Sequence, residues 1–364
     1  MGQPGKLGDH VMGSAQLKRR VRAWRNVAAS ATMARLDSRW VPRPHAAHII
    51  LTYKCNLKCG GCPSWQVRDH DDLNAAEYRA LFRQLTSLDL VKVLGGEPFV
   101  RKDIVEILTD VREIIDPYVM QLTTNGMLTD RTIEALHKIA WPGLQLRISV
   151  DGLEATHDEM RGVQGSWKKV TRTARAVAEL KEQYGFKFGI NFAITDQSLP
   201  ELDAMVEFAQ SVGADLIPGV NVSPFLVGTK PPEEEQQQII MLNKRKEALE
   251  AMTRADVGTR GQLPGVDRLL GRWFTKSTYK QHLLEDAHKF QCRELKDLLY
   301  LLPNGNVVRC GMDHTPIGNV RDQTFDEIWF GSHIESFRQK VDDCPGCMQS
   351  SVQIMSRVYG FCMD

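Results

Sequence analysis

Three cysteines fall within eight residues, Cys55-x3-Cys59-x2-Cys62, directly after the apolar run His48-Ile49-Ile50-Leu51-Thr52-Tyr53. The run reads as a β-strand, so the cysteines occupy the loop that leaves it. Such a loop can curl three thiolates around one face of an iron–sulfur cube. Three ligands for four irons leave one iron open, which makes it a place for chemistry rather than electron storage alone. Competing uses of three close thiols fit less well. Structural zinc takes four ligands, usually as two pairs from two knuckles, and only His70 lies nearby. A disulfide would strand one thiol, and nothing in the sequence points to an oxidising compartment.

The remaining cysteines, Cys292, Cys310, Cys344, Cys347 and Cys362, form a second group far along the chain. Eight cysteines in 364 residues are too few for a disulfide scaffold, and their grouping argues for metal chemistry in a reducing cytoplasm. A net charge of +1 gives no overall field that would favour nucleic acid. No secretory signal and no run long enough to span a bilayer is visible, so the expected location is cytoplasmic.

From His48 onward the pattern alternates strand and helix. Strands are expected near 48–53, 90–94, 118–123, 145–150, 187–194 and 215–221, and helices over 74–86, 102–115, 129–139, 167–184 and 199–212. Six such βα units predict a parallel sheet with right-handed crossovers, whose ligands gather beyond the C-terminal strand ends. The cysteine loop leaves the first strand at that end. Upstream, 1–14 reads as disordered, and 15–37 as a basic helix with an apolar stripe of Leu17, Val21, Trp24, Ala28 and Ala31. That stripe predicts packing on the main domain; the alternative is peripheral contact with an anionic membrane. Residues 229–262, with Pro231-Pro232 and a charged run, read as an exposed helix bridging two domains.

The cysteine spacing, with Asn56-Leu57 inside it, resembles the signature of the radical S-adenosylmethionine (SAM) enzymes. The later segments Gly95-Gly96-Glu97-Pro98, Thr123-Thr124-Asn125-Gly126, Ser149-Val150-Asp151-Gly152 and His157-Asp158…Arg161-Gly162…Gly165-Ser166-Trp167 extend the resemblance. It implies a partial (β/α)6 TIM-like barrel in which Cys55, Cys59 and Cys62 hold a [4Fe–4S] cluster, with SAM chelating the open iron. It further implies that Glu97 bonds the SAM amino group, with Gly95 and Gly96 letting the backbone approach the ligand, and that Arg161 meets the carboxylate. Thr124, Asn125, Ser149 and Asp151 stand at the sheet edge where a ribose could be held, the alternative being that Asn125-Gly126 and Asp151-Gly152 merely make turns. Asn191 is polar inside an otherwise buried strand, so it is expected to contact SAM or substrate, or to be bonded structurally.

The second cysteine group, with the hairpin Leu301–Cys310 turning at Asn304-Gly305, Ile317-Gly318-Asn319-Val320 and Cys344-Pro345-Gly346-Cys347, resembles the SPASM and twitch extensions of that family. The resemblance implies a small α+β C-terminal domain in which Cys292, Cys310, Cys344 and Cys347 bind a second, auxiliary [4Fe–4S] cluster. Four thiolates with a Cys-x2-Cys pair would also suit zinc. Cys362 is left as a spare thiol or a replacement ligand. The expected organisation is 1–45 as lead-in, 46–228 as radical SAM core, 229–285 as helical linker and 286–364 as auxiliary domain.

The implied activity is cleavage of SAM to a 5′-deoxyadenosyl radical that abstracts hydrogen from a substrate, either a peptide or protein side chain or a small metabolite. A reductant such as flavodoxin or ferredoxin is an expected partner; nucleic acid is not. The alternative is a non-catalytic iron–sulfur or zinc-binding carrier.

Overall fold

The computed structural model describes residues 14–36, 41–68, 71–220, 245–254 and 292–344. Six parallel strands carry the core: β1 (Ala46–Ile50), β2 (Leu90–Leu94), β3 (Val119–Thr124), β4 (Leu144–Ser149), β5 (Lys187–Ile194) and β6 (Asp215–Val220). They lie side by side in chain order, each bonded to the next. Between them run α2 (Ala75–Phe82), α3 (Ile104–Asp110, extended by a π turn over Val111–Ile115), α4 (Thr129–Ile139), α5 (Glu154–Arg161), α6 (Ser166–Tyr184) and α7 (Leu202–Ser211). The alternation makes a partial, TIM-like barrel that does not close among the described residues.

Alternate strand residues fix the two faces. Val91 and Val93, Met120 and Leu122, Leu146 and Ile148, and Ile190 and Phe192 are fully buried against Tyr78, Ile107, Leu136 and Val170 of the helices. The intervening positions of β2 and β4 are only half-buried, so the helix-free face lines an inner concavity. Parallel strands with helices on one side form their core this way.

The N-terminal helix α1 (Ser14–Leu36) packs on the main domain as expected, but through a different face from the expected stripe. Leu17, Val21 and Trp24 stand exposed, Ala28 does too, and of the expected stripe only Ala31 is buried. The packed face consists instead of Gln16, Ala23, Val27, Ser30 and Ala31. Polar anchoring overrides the apolar period. Gln16 Nε2 donates to Tyr118 O at 3.1 Å, Arg22 and Asn26 reach Asp89 at 2.9 and 2.7 Å, and Ser30 Oγ donates to Asp297 at 2.6 Å. Asp89 and Tyr118 immediately precede β2 and β3, so α1 lies across the N-terminal strand ends.

The C-terminal segment does not stand apart from this sheet. Strand β7 (Leu298–Leu301) pairs in parallel with β1, and β8 (Asn306–Cys310) and β9 (Asp313–Asn319) follow as antiparallel neighbours. Among the described residues one nine-stranded sheet results, ordered β6-β5-β4-β3-β2-β1-β7-β8-β9. The Asn304-Gly305 turn is as expected, with Gly305 at φ +88° where a side chain is disfavoured. Of two short helices that follow, α9 (Phe325–Phe330) brings fully buried Phe325, Ile328 and Trp329 to the common core and α10 (Glu335–Asp342) brings Val341. Of the expected bridging helix only α8 (Arg245–Arg254) lies within the described residues; the rest of 229–262, residues 1–13, His70, Cys347 and Cys362 lie outside them.

Candidate cluster and cofactor site

β1 ends at Ile50, and the chain beyond it is held in a loop by its neighbours as well as by its own hydrogen bonds. Gly96 N donates to Thr52 O at 2.6 Å and Glu97 N to Lys54 O at 2.8 Å. The approach is so close that a Cβ on Gly96 would stand 2.3 Å from Lys54 O. From the other side the end of α5 is bonded to the loop, Lys58 N to Arg161 O at 3.3 Å and Gly60 N to Met160 O at 3.2 Å. A Cβ on Gly162 would lie 2.3 Å from Lys58 O. Backbone contacts on two sides thus hold the segment that carries Cys55, Cys59 and Cys62.

The three thiols are free and half-buried. Burial pushes the Cys55 thiol up to about 11, and the neighbouring thiols and Glu97 add to it. Burial raises Cys59 as well, against the opposing pull of Arg161. Three thiolates crowded at one place need a strong positive centre to neutralise them, and a metal cluster is such a centre. Among the described residues no three His, Cys, Asp or Glu side chains close on a single ion; the donor set, not a finished coordination shell, fits the cluster.

Around the loop the expected site residues fall into three groups. Glu97 is fully buried; it accepts from Thr124 Oγ1 at 2.8 Å, Asn125 N at 2.6 Å and Phe99 N at 3.0 Å. Burial pushes its carboxyl up to about 7 despite those bonds. Asn125 uses its amide to donate to Asn56 Oδ1 at 2.7 Å and to approach Cys55 Sγ at 3.8 Å. In the second group Asp151 pairs with Arg161 at 2.6 Å and accepts from Ala193 N at 2.9 Å, while Arg161 Nη1 lies 3.8 Å from Cys59 Sγ. The remaining Nε of Arg161 is buried without a partner. The third group is Ser149 and Asn191, directly opposed in register across β4 and β5 and both half-buried.

Several supporting residues had no role assigned from the sequence. Asp158 accepts from Gly165 N, Ser166 Oγ and Trp167 N at 2.6 to 2.8 Å, which joins α5 to α6. Helix α5 itself escaped the pattern because its eight residues, Glu-Ala-Thr-His-Asp-Glu-Met-Arg, hold little apolar periodicity. Arg101 ties the end of β1 to the start of α2 through Leu51 O at 2.8 Å and Leu73 O at 2.7 Å.

At the other cysteine group Cys292, Cys310 and Cys344 are half-buried. Arg309 feels both Cys310 and Cys344, so those two lie at one place. Cys310 is pushed up to about 11, first by burial and then by the buried Glu294 carboxylate. Because β8 runs against β7, Cys310 sits toward the N-terminal end of β7. The first cysteine loop leaves the opposite end of the adjacent β1.

Sequence models agree with this geometry. The model of the Radical SAM superfamily matches residues 49–209, and that of an iron–sulfur cluster-binding domain, SPASM, matches 292–348. Fe-coproporphyrin III synthase of Methanosarcina barkeri is 32% identical over 166 residues, 44% of this chain and 39% of that protein. The chain thus spans about two fifths of that relative. AdoMet-dependent heme synthase of the same organism is 28% identical over 80% of this chain and 83% of its own length. PqqA peptide cyclase of Gluconobacter oxydans is 24% identical over 77% and 74%. The fold is that of Streptococcus suis SuiB bound to S-adenosylmethionine, with a TM-score of 0.58 over 82% of this chain and 68% of that one at 20% identity. Residues 49–209 thus match the radical SAM superfamily and residues 292–348 an iron–sulfur cluster-binding domain of the SPASM type, two domains that imply SAM and [4Fe–4S] clusters as cofactors.

Proposed function

We propose that the chain is an enzyme that reductively cleaves SAM and uses the resulting 5′-deoxyadenosyl radical to take a hydrogen atom from a peptide side chain or a small metabolite. The observation that carries this reading is the pinning of three free thiols against Gly95-Gly96-Glu97, which sets a cluster loop and a ligand-binding turn in contact. When bound and reduced, the cluster supplies the electron that splits SAM into methionine and the radical.

The chain's own residues position and shield. Glu97, already buried, would receive the SAM ammonium, and the ammonium's charge would favour the ionised carboxylate that burial disfavours. The unpartnered Arg161 Nε offers a donor to the SAM carboxylate, since guanidinium matches carboxylate geometry. Thr124, Asn125 and Asp151 are committed to internal bonds and would hold the site's shape, leaving Ser149 and Asn191 as free polar groups toward the ribose or substrate. Cys292, Cys310, Cys344 and Cys347 would hold the auxiliary cluster as electron acceptor or substrate ligand, and flavodoxin or ferredoxin would supply the electron. The two substrate classes are both represented among the long matches, a heme synthase and a peptide cyclase.

Anaerobic reconstitution with SAM and dithionite, followed by chromatography for 5′-deoxyadenosine, tests the reading. The product is expected from the unsubstituted protein and not from Cys59→Ala. Its persistence in the variant would contradict the ligand assignment, and its absence from both would leave a non-catalytic iron–sulfur protein.

A further inference from the structure

The outward face of α1 is an apolar ridge edged with cations. Leu17, Val21 and Trp24 are 50%, 60% and 43% exposed, and only Leu153 and Phe330 join them as exposed large hydrophobics among the described residues. Single exposed apolar side chains are ordinary, but a row of them on one element marks a contact surface. At about 100° per residue, Leu17, Val21, Trp24 and Ala28 fall within about 60° of one another around the helix. By the same count Lys18 and Arg25, both exposed, border the row on one side and Arg20 borders it on the other. Ser14–Leu36 carries six cations, Lys18, Arg19, Arg20, Arg22, Arg25 and Arg35, and no Asp or Glu.

The ridge is formed before anything touches it. Arg19 Nε donates to Asp116 Oδ1 at 2.6 Å, Arg22 Nη2 to Asp116 O at 2.6 Å and Ser30 Oγ to Asp297 at 2.6 Å, so the polar side of α1 is fastened to the barrel. A contact on the opposite side therefore needs no further ordering of the helix. Its complement must be apolar beneath the middle of the ridge and anionic along its edge. A bilayer of anionic lipid has that layering, with phosphates over acyl chains, and Trp suits the boundary between them. No described helix is long and apolar enough to cross a membrane, so the contact lies along the surface.

We propose that α1 seats the protein on an anionic lipid surface, with Leu17, Val21 and Trp24 in the headgroup boundary and Lys18 and Arg25 against the lipid phosphates. The inference is independent of the radical reaction and concerns where the protein sits. Because α1 lies across the N-terminal strand ends, and the cysteine loop leaves β1 at its other end, the cluster site is turned away from the bilayer and stays open. Lipid is thus the support of the protein in this arrangement and not its substrate.

The test is anaerobic co-sedimentation of the full, cluster-loaded chain with two sets of vesicles, phosphatidylcholine alone and equal parts of phosphatidylcholine and phosphatidylglycerol. The protein is expected in the pellet with the anionic set and in the supernatant with the neutral one, and added salt should release it. Lys18→Gln/Arg25→Gln should weaken binding about tenfold or more through the two lost charges. Val21→Gln/Trp24→Gln should weaken it about as much through lost apolar contact. All four side chains are exposed, so the denaturant midpoint of both variants should stay that of the unsubstituted protein. Phe330→Gln, which changes an exposed hydrophobic on α9 instead, should bind normally. Recovery in the supernatant with both vesicle sets would overturn the proposal, and so would equal binding to both sets or normal binding by either double variant. A dimer that Val21→Gln/Trp24→Gln abolishes, in a protein that ignores the vesicles, would give the ridge to a second copy of the chain.

Discussion

Arg161 and Asp151 meet at 2.6 Å, and the same guanidinium lies 3.8 Å from the Cys59 sulfur, so one side chain links the end of β4 to the cluster loop. Both partners of the ion pair are largely buried. Removing one partner of a buried pair leaves an uncompensated charge, at a cost of about 3–5 kcal/mol. Asp151 keeps its bond from Ala193 N, which places the expected loss toward the lower end of that range. Arg161→Ala should therefore lower the denaturant midpoint and the iron retained after reconstitution. Arg161→Lys should fall between, because one ammonium does not span both partners as a guanidinium does. A fully stable, fully loaded Arg161→Ala protein would show that the link does not hold the loop.

Two glycines near the cysteines give opposite expectations. A Cβ on Gly96 would meet Lys54 O at 2.3 Å and Tyr53 O at 2.5 Å, both backbone atoms that move only if the cysteine loop moves. Gly60 has nothing within 4 Å of its added Cβ. Gly96→Ala should thus lose most of its cluster absorbance while the far-ultraviolet dichroism of the barrel is retained, and Gly60→Ala should load normally. Equal loading of the two variants would contradict the close approach.

What was legible in the sequence follows from whether the signal was local. The runs at 90–94 and 187–194 became β2 and β5 within the same bounds, because a parallel strand covered by helices must be apolar at its core positions wherever it lies. The cysteine spacing, the Gly95-Gly96-Glu97 turn and Asn304-Gly305 were legible for the same reason: each is a short backbone requirement written in consecutive residues. Contacts between distant segments were not. Nothing in Leu298–Leu301 reveals that it pairs with Ala46–Ile49, and nothing in α1 reveals that Asp89 and Asp297, far along the chain, would turn its polar side inward.

His157 is 1% exposed, and its Nδ1 accepts from Asp151 N at 3.1 Å, so the fold holds it neutral. Burial, reinforced by the Arg161 charge, draws it from 6.5 down to about 3, with Asp158 opposing. The unfolded chain binds a proton below 6.5 that the folded chain refuses, so this contribution to stability is complete above 6.5 and is lost as the pH falls toward 3. The unfolding free energy should fall by up to ~1.4 kcal/mol per pH unit in that window from this residue. Anaerobic urea titrations between about pH 7.5 and about pH 5 should show a shallower decline for His157→Gln than for the unsubstituted protein. Parallel declines would mean that His157 takes up its proton inside the fold.

The second cysteine group makes a count the deciding measurement. Cys310 and Cys344 share the field of Arg309, and burial together with Glu294 keeps the Cys310 thiol protonated in the absence of metal. Metal must displace that proton, and the gain comes from a centre that several thiolates satisfy together. If that centre is a second cube beside the one held by Cys55, Cys59 and Cys62, anaerobically reconstituted protein should carry about eight irons per chain. Cys310→Ala should then retain about four, and so should Cys55→Ala/Cys59→Ala/Cys62→Ala, since the two sites are at opposite ends of the β1–β7 pair and load independently. Only the first of these variants should still yield the spectral change of a reduced cluster on adding SAM. About four irons in the unsubstituted chain, accompanied by one zinc, would instead make the C-terminal thiolates a structural zinc site, because four thiolates satisfy that ion as well as they satisfy a cube.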